Sequence, residues 1–201
     1  MISPLAYVDP AAKIGKNVTV QPFAYIEADV EIGDDSIIMS GARILSGTHM
    51  GKGNKVHHGA VLGSEPQDFH YTGEHTLLVI GDKNDIRENV VISRGTHEGQ
   101  YTQIGNENYL MDGVHLCHDV KIANHCVLGI KTTVAGDCCI DSYVILSSNV
   151  LLQQNCHIGS WSLVQSGCRI SKDVPPYIIM AGNPAEYHGV NAMVLQHKNQ
   201  V

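Results

Sequence analysis

Stepping through the sequence six residues at a time from Val8 meets an aliphatic side chain at almost every stop. The register runs Val8, Ile14, Val20, Ile26, Ile32, Ile38, Ile44, Met50, Val56 and Leu62. It fails at Asp68 and Glu74, resumes at Ile80, Ile86 and Ile92, and fails at Glu98. From Ile104 to Ile170 it runs without a break. A second column, four residues behind the first, holds small or β-branched residues such as Val18, Ala24, Val30, Ala42, Thr48, Val90, Val114, Thr132 and Cys138. One long and one small inward residue in every six is the mark of a solenoid, whose units bury their apolar side only by stacking. Each unit is a short strand and a turn, and three of them make a triangular coil of about 18 residues. The predicted architecture is therefore an all-β parallel β-helix.

The composition fits that demand. Only 5% of residues are aromatic and 16% charged, against 43% hydrophobic, and 20 of 201 are Gly. Glycine directly follows the aliphatic at Gly15, Gly33, Gly51, Gly63, Gly81, Gly105, Gly129 and Gly159. A turn there requires either a positive φ or a close backbone approach. The breaks at 68–79 and 94–103 leave the phase unshifted, so they read as loops on the outside of the coil, where binding groups tend to sit. The repeat region is expected over 1–175. The segment 176–201 reads as a crossover, with the start of a helix near Val190–His197.

Charge and cysteine content exclude several classes. The net charge of −7 argues against nucleic acid, which selects a basic balance or stripe. No apolar run approaches the length of a membrane span. The N-terminal MISPLAYVDPAA has no charged segment followed by an apolar one, so no signal peptide is expected. The six cysteines are expected to be reduced thiols in a cytoplasmic protein. Cys126, Cys138, Cys156 and Cys168 fall in the small inward column and read as packing residues. There is no CxxC spacing, so no metal site is expected.

Among twelve histidines, His115 and His118 stand out. They flank the inward Leu116, and Asp119 follows directly. A carboxylate beside an imidazole fixes its tautomer and stabilises the imidazolium, as a general base requires. One coil further, Gly136 offers room for a substrate and a bare N–H for an oxyanion. The residues alone leave a surface His with a chance acidic neighbour equally open.

Several motifs together resemble a known family. They are Gly63–Glu74 (GSEPQDFHYTGE), Ile86–Asn89 with Ser93–Thr96, the block from His115 to Asp119, and the exit Asp173–Tyr177 followed by Gly182-Asn183 and Gly189–Asn191. In this order on one solenoid they resemble the bacterial acyl-[acyl-carrier-protein]–UDP-N-acetylglucosamine O-acyltransferases, across essentially the whole chain. The resemblance implies a left-handed coil. It also implies transfer of a (3-hydroxy)acyl chain from acyl carrier protein to the 3-hydroxyl of UDP-N-acetylglucosamine, the first step of lipid A synthesis. His118 would be the base, Asp119 its orienting partner and Gly136 the oxyanion donor. Asp68 and His115 would contact the sugar nucleotide, Gln67 the acyl 3-hydroxyl, and Gln154 and Asn191 the uridine diphosphate part. Ser166 matches a position that sets chain length. No metal or dissociable cofactor is implied, the donor being carried on phosphopantetheine. A homotrimer with each site in a cleft between neighbouring β-helices is.

The sequence departs from the family at several places. His70 stands where many members carry a substrate-binding Lys. Asp137, Gln153, Met193 and His197 replace His, His, Glu and Arg, the last two of which grip the nucleotide. The family's basic C-terminal helical domain is expected to be largely absent from a sequence ending at Val201. Three alternatives are therefore kept: a related hexapeptide acyltransferase with another acceptor or donor, an inactive truncated paralogue acting as a binding module, and a zinc-dependent carbonic anhydrase on the same scaffold.

Overall fold

The structure, a computed structural model, describes residues 1–197. It is a left-handed parallel β-helix of three sheets. Sheet 1 has nine strands, from Tyr7–Val8 to Arg169–Ile170. Sheet 2 has eight, from Lys13–Ile14 to His157–Ile158. Sheet 3 has ten, starting at Thr19–Val20. Up to Arg169–Ile170 consecutive strands lie in different sheets, and through Leu151–Leu152 each hydrogen-bonds to the strand three further along the chain.

The six-residue register sets this pairing. Ile26 lies in register with Ile44, Ile44 with Leu62, Leu62 with Ile92 and Ile92 with Leu116. The aliphatic column thus stacks on itself inside the coil. Ile26, Ile38, Ile44, Leu62, Leu110, Leu116 and Leu128 are completely buried, each contributing about 1.5–3 kcal/mol by leaving water. The second column closes the gaps, and Cys126, Cys138, Cys156 and Cys168 are buried in it as free thiols. Burial pushes the Cys126 and Cys138 thiols up to about 11.

Asn54, Asn84 and Asn108 also belong to that inward column and are buried. They form a ladder along the coil axis. Asn84 donates its backbone N–H to Asn54 Oδ1 at 2.9 Å and its side-chain Nδ2 to the Gly105 carbonyl at 2.9 Å. Asn108 repeats this one coil on, donating to Asn84 Oδ1 and to the Ala123 carbonyl. The amides saturate corner carbonyls that the coil would otherwise bury unpaired.

Of the eight glycines that follow an aliphatic, only Gly63 has a positive φ, 80°. Space explains others. A Cβ on Gly33 would lie 2.4 Å from the Gly51 carbonyl carbon of the next coil, and one on Gly129 would lie 2.5 Å from that of Ser147. The left-handed backbone falls two residues later, at Asn17, Asp35, Lys83, Glu107, Lys131 and Trp161.

The chain turns from sheet 1 to sheet 2 at a first corner, and both interruptions lie there. The first runs over 65–76, between strands Val61–Ser64 and Leu77–Ile80. The second runs over 94–100, between Val91–Ser93 and Tyr101–Ile104. The first lies three residues earlier than its expected span because 77–79 pair as strand, and the second is shorter than expected because 101–103 do the same. Arg94 moors the first insert. Its guanidinium donates to the Gly63 carbonyl at 3.0 Å and to the Tyr71 hydroxyl at 2.7 Å.

Beyond residue 175, sheet 3 gains strand Ile178–Ala181, parallel to Leu163–Val164. Strand Glu186–Val190 pairs with it antiparallel, and the helix Ala192–His197 follows.

Candidate active site

The first corner carries most of the residues singled out from the sequence. Gln67, Asp68 and His70 lie on the first insert. His118 and Asp119 follow strand His115–Leu116, Gly136 follows Thr133–Val134, and Gln154 follows Leu151–Leu152. Stacked coils place these segments one above another.

His118 is the centre of the arrangement and is 8% exposed. Its Nδ1 lies 3.0 Å from Asp119 Oδ2, and its Nε2 lies 3.3 Å from Asp68 Oδ2. Asp119 Oδ2 also accepts the Thr96 N–H of the second insert at 3.1 Å. Asp119 has a left-handed backbone, φ 60°, and its N–H donates to Thr102 Oγ1 at 2.8 Å. The other Asp68 oxygen accepts the His70 N–H at 2.7 Å and lies 2.8 Å from His70 Nδ1. The His70 backbone bond, and then its ring, hold the Asp68 carboxyl below the usual carboxylate range. Both inserts thus converge on one imidazole, which can be aligned by Asp119 and charge-balanced from two sides.

Gly136 lies against the His118 ring. A Cβ there would stand 2.4 Å from Cε1 and 2.6 Å from Nε2. This corrects the expectation that Gly136 leaves room for substrate, because the imidazole fills that space. Above it, Asp137 lies beside the dyad. One ring nitrogen of His118 and one carboxylate oxygen from each of Asp119 and Asp137 lie within 4.8 Å of one another. That set has one imidazole and two carboxylates, whereas the zinc alternative needs three histidines. Asp137 Oδ2 accepts Gln154 Nε2 at 3.0 Å, linking Gln154 to the same cluster.

The remaining residues are placed differently. Gln67 is exposed beside Asp68. His115 sits on the outer side of sheet 1, in register with Val91 and Thr133, and burial pushes its imidazole below the ordinary value. Ser166 is exposed at the corner from sheet 3 to sheet 1. Asn191 opens the helix Ala192–His197 and donates its Nδ2 to the Trp161 carbonyl at 2.8 Å, in the corner from sheet 2 to sheet 3. His197 closes that helix, and its side chain lies outside the described residues. Of the two residues that hold Asp119, Thr96 is read from the sequence only as the end of a family motif with no role attached, and Thr102 is not singled out. In the register Thr102 looks like any small inward residue.

The chain matches the family model for the bacterial transferase hexapeptide (six repeats) over residues 11–46 and 29–64. With the corner site, this defines a hexapeptide-repeat transferase. The acyl-[acyl-carrier-protein]–UDP-N-acetylglucosamine O-acyltransferase of Stutzerimonas stutzeri is 42% identical over 192 residues, 95% of this chain and 74% of that protein. The Pseudomonas fluorescens protein of the same name is 43% identical over the same shares. Among solved structures, the UDP-N-acetylglucosamine acyltransferase from Bacteroides fragilis superposes with a TM-score of 0.96 at 49% identity, covering 98% of this chain and 78% of that one. The chain belongs to the acyl-[acyl-carrier-protein]–UDP-N-acetylglucosamine O-acyltransferase family.

Proposed function

We propose that the protein moves an acyl chain from acyl carrier protein to the 3-hydroxyl of UDP-N-acetylglucosamine, the opening step of lipid A synthesis. The observation that carries this reading is the buried His118, braced by Asp119 on Nδ1 and open at Nε2 only toward Asp68. With Nδ1–H donated to Asp119, Nε2 is the basic nitrogen. The acceptor hydroxyl takes the place of Asp68 Oδ2 against Nε2 and gives up its proton there. Its oxygen attacks the thioester carbonyl, and the Gly136 N–H receives the oxyanion. When the tetrahedral intermediate collapses, the phosphopantetheine thiolate leaves and takes the proton back from His118. The thioester carbonyl is already activated toward attack, so positioning, one base and an oxyanion donor suffice without a dissociable cofactor.

Gln67, Asp68, His70 and His115 are assigned to the acceptor and acyl groups, and Gln154, Asn191 and His197 to the nucleotide. Ser166 is assigned to the end of the acyl groove. The outer face of sheet 3 stacks Val127, Ile145 and Leu163 in one row, and that of sheet 1 carries Val61 and Val91, with His115 and Thr133 between Val91 and Leu151. These faces support a homotrimer with shared sites. No described helix is long and apolar enough to cross a membrane. A cytoplasmic setting, which keeps thiols reduced, suits this substrate pair.

The test is turnover of acyl-acyl-carrier-protein with UDP-N-acetylglucosamine by wild-type protein and by His118→Ala. Activity in the wild type, reduced at least a thousand-fold or so in the variant with the fold intact, is the expected result. Comparable turnover by both rejects His118 as the base. Inert wild-type protein favours the binding-module reading.

A further inference from the structure

Most corners of this coil share one hydrogen bond, and the corner holding Asp119 replaces it with a side-chain acceptor. At most corners the N–H of the left-handed residue donates to the corner backbone carbonyl of the coil below, Asp29, Gly41 and Gly59 being exceptions. Asp137 donates to the His118 carbonyl, His125 to Asn106, Lys131 to Asp112 and Tyr143 to Asn124. Below Asp119 the regular corner is replaced by the second insert, 94–100. The Asp119 N–H donates instead to the hydroxyl of Thr102, a fully buried residue of strand Tyr101–Ile104. The same insert returns the Thr96 N–H to the Asp119 carboxylate.

We propose that Thr102 is a positioning residue for the Asp119–His118 dyad, its side chain substituting for the corner carbonyl that the insert removes. The inference rests on the acyl-transfer reading. A left-handed non-glycine backbone persists only where its surroundings fix it. At Asp119 that fixing comes from one inward hydroxyl below the residue and one insert N–H on its carboxylate. Without the hydroxyl, the buried N–H has no acceptor and the corner relaxes. Asp119 Oδ2 then leaves the line that holds Nδ1–H, and His118 loses its alignment. The substrate-contacting side chains on the first insert stay where they are.

The same column supplies a control. Thr48 is equally buried, its Oγ1 has no hydrogen-bond partner, and Leu78 lies between it and Thr102 in the same column. Replacing it with Val removes no bond.

The experiment compares Thr102→Val, Thr102→Ser and Thr48→Val by kcat, by KM for UDP-N-acetylglucosamine and by amide hydrogen exchange at Asp119. In Thr102→Val, kcat is expected to fall about ten- to a hundred-fold with KM within about two-fold of wild type, and Asp119 exchange accelerates. Thr102→Ser keeps the hydroxyl and restores both. Thr48→Val changes neither. Unchanged Asp119 exchange in Thr102→Val overturns the inference, as does accelerated exchange with unchanged kcat. If Thr48→Val lowers kcat as much as Thr102→Val, the effect is one of column packing and the inference also falls. Inert wild-type protein rejects the acyl-transfer reading itself, and the exchange comparison still decides whether Thr102 holds the corner.

Discussion

Gly136→Ala isolates the contact between coil and base. No positive φ is recorded at Gly136, so alanine meets no backbone penalty there. The backbone N–H also remains in the variant, so the oxyanion donor survives. What changes is one methyl group, placed 2.4 Å from His118 Cε1, 2.6 Å from Nε2 and 3.0 Å from Nδ1. Ordinary carbon contacts begin near 3.5 Å, so the ring must retreat by about 1 Å. It cannot do so and keep both Asp119 at 3.0 Å and its aim at the acceptor. A misplacement of about 1 Å can cost on the order of a hundred-fold in rate, or about 2.7 kcal/mol of transition-state stabilisation. The overpacking itself costs about 1–3 kcal/mol of stability. The assay is steady-state acyl transfer beside thermal unfolding of the same preparation. A crystal structure of the variant should show the ring displaced. The reasoning would be refuted by a kcat within about three-fold of wild type, because the ring would then not depend on a bare glycine for its seat.

Two further outcomes test the scaffold. Asn84→Ala strands the Asn108 backbone N–H and the Gly105 carbonyl in the coil interior, so it should lower unfolding free energy by about 2–4 kcal/mol in denaturant titration. The Arg87 guanidinium holds the neighbouring Glu88 carboxyl down from 4.5 to about 2. A depressed carboxylate contributes stability in full above its unfolded value and loses it as pH falls toward the folded one. Between about pH 4.5 and 2, Glu88→Gln should therefore lose stability less steeply than wild type. The pair is part-exposed, so the gap should stay under about 1 kcal/mol and shrink in salt.

The coil was legible because its interior repeats. A column from Val8 to Ile170 leaves one way to bury itself, whereas handedness came only with the family resemblance. The inserts were visible as the failures at Asp68, Glu74 and Glu98. Their edges were not, since 77–79 and 101–103 carry residues that serve strand or loop equally well. The glycine pattern was visible, but close approach rather than a positive φ accounts for Gly33 and Gly129. Asn54, Asn84 and Asn108 escaped notice because a polar residue in an apolar column looks like an interruption. Only the corner carbonyls, invisible in sequence, explain them. The His118–Asp119 pair could be read from adjacency. Its dependence on Thr102 could not, because that bond exists only where an insert has removed a backbone acceptor.

The stacking has a consequence for how this molecule comes apart. Each coil touches only the coils above and below it, so unfolding should begin at the two ends and travel inward. The N-terminal end is tied by the Met1 ammonium to the Val18 carbonyl. Strand His115–Leu116, which leads into His118, has five strands below it and three above it in sheet 1. Fraying that begins at either end must therefore melt several turns before it reaches the base. Partially unravelled molecules should keep a competent imidazole long after their terminal coils have lost amide protection, and shortening the stack at an end should spend stability before it spends chemistry.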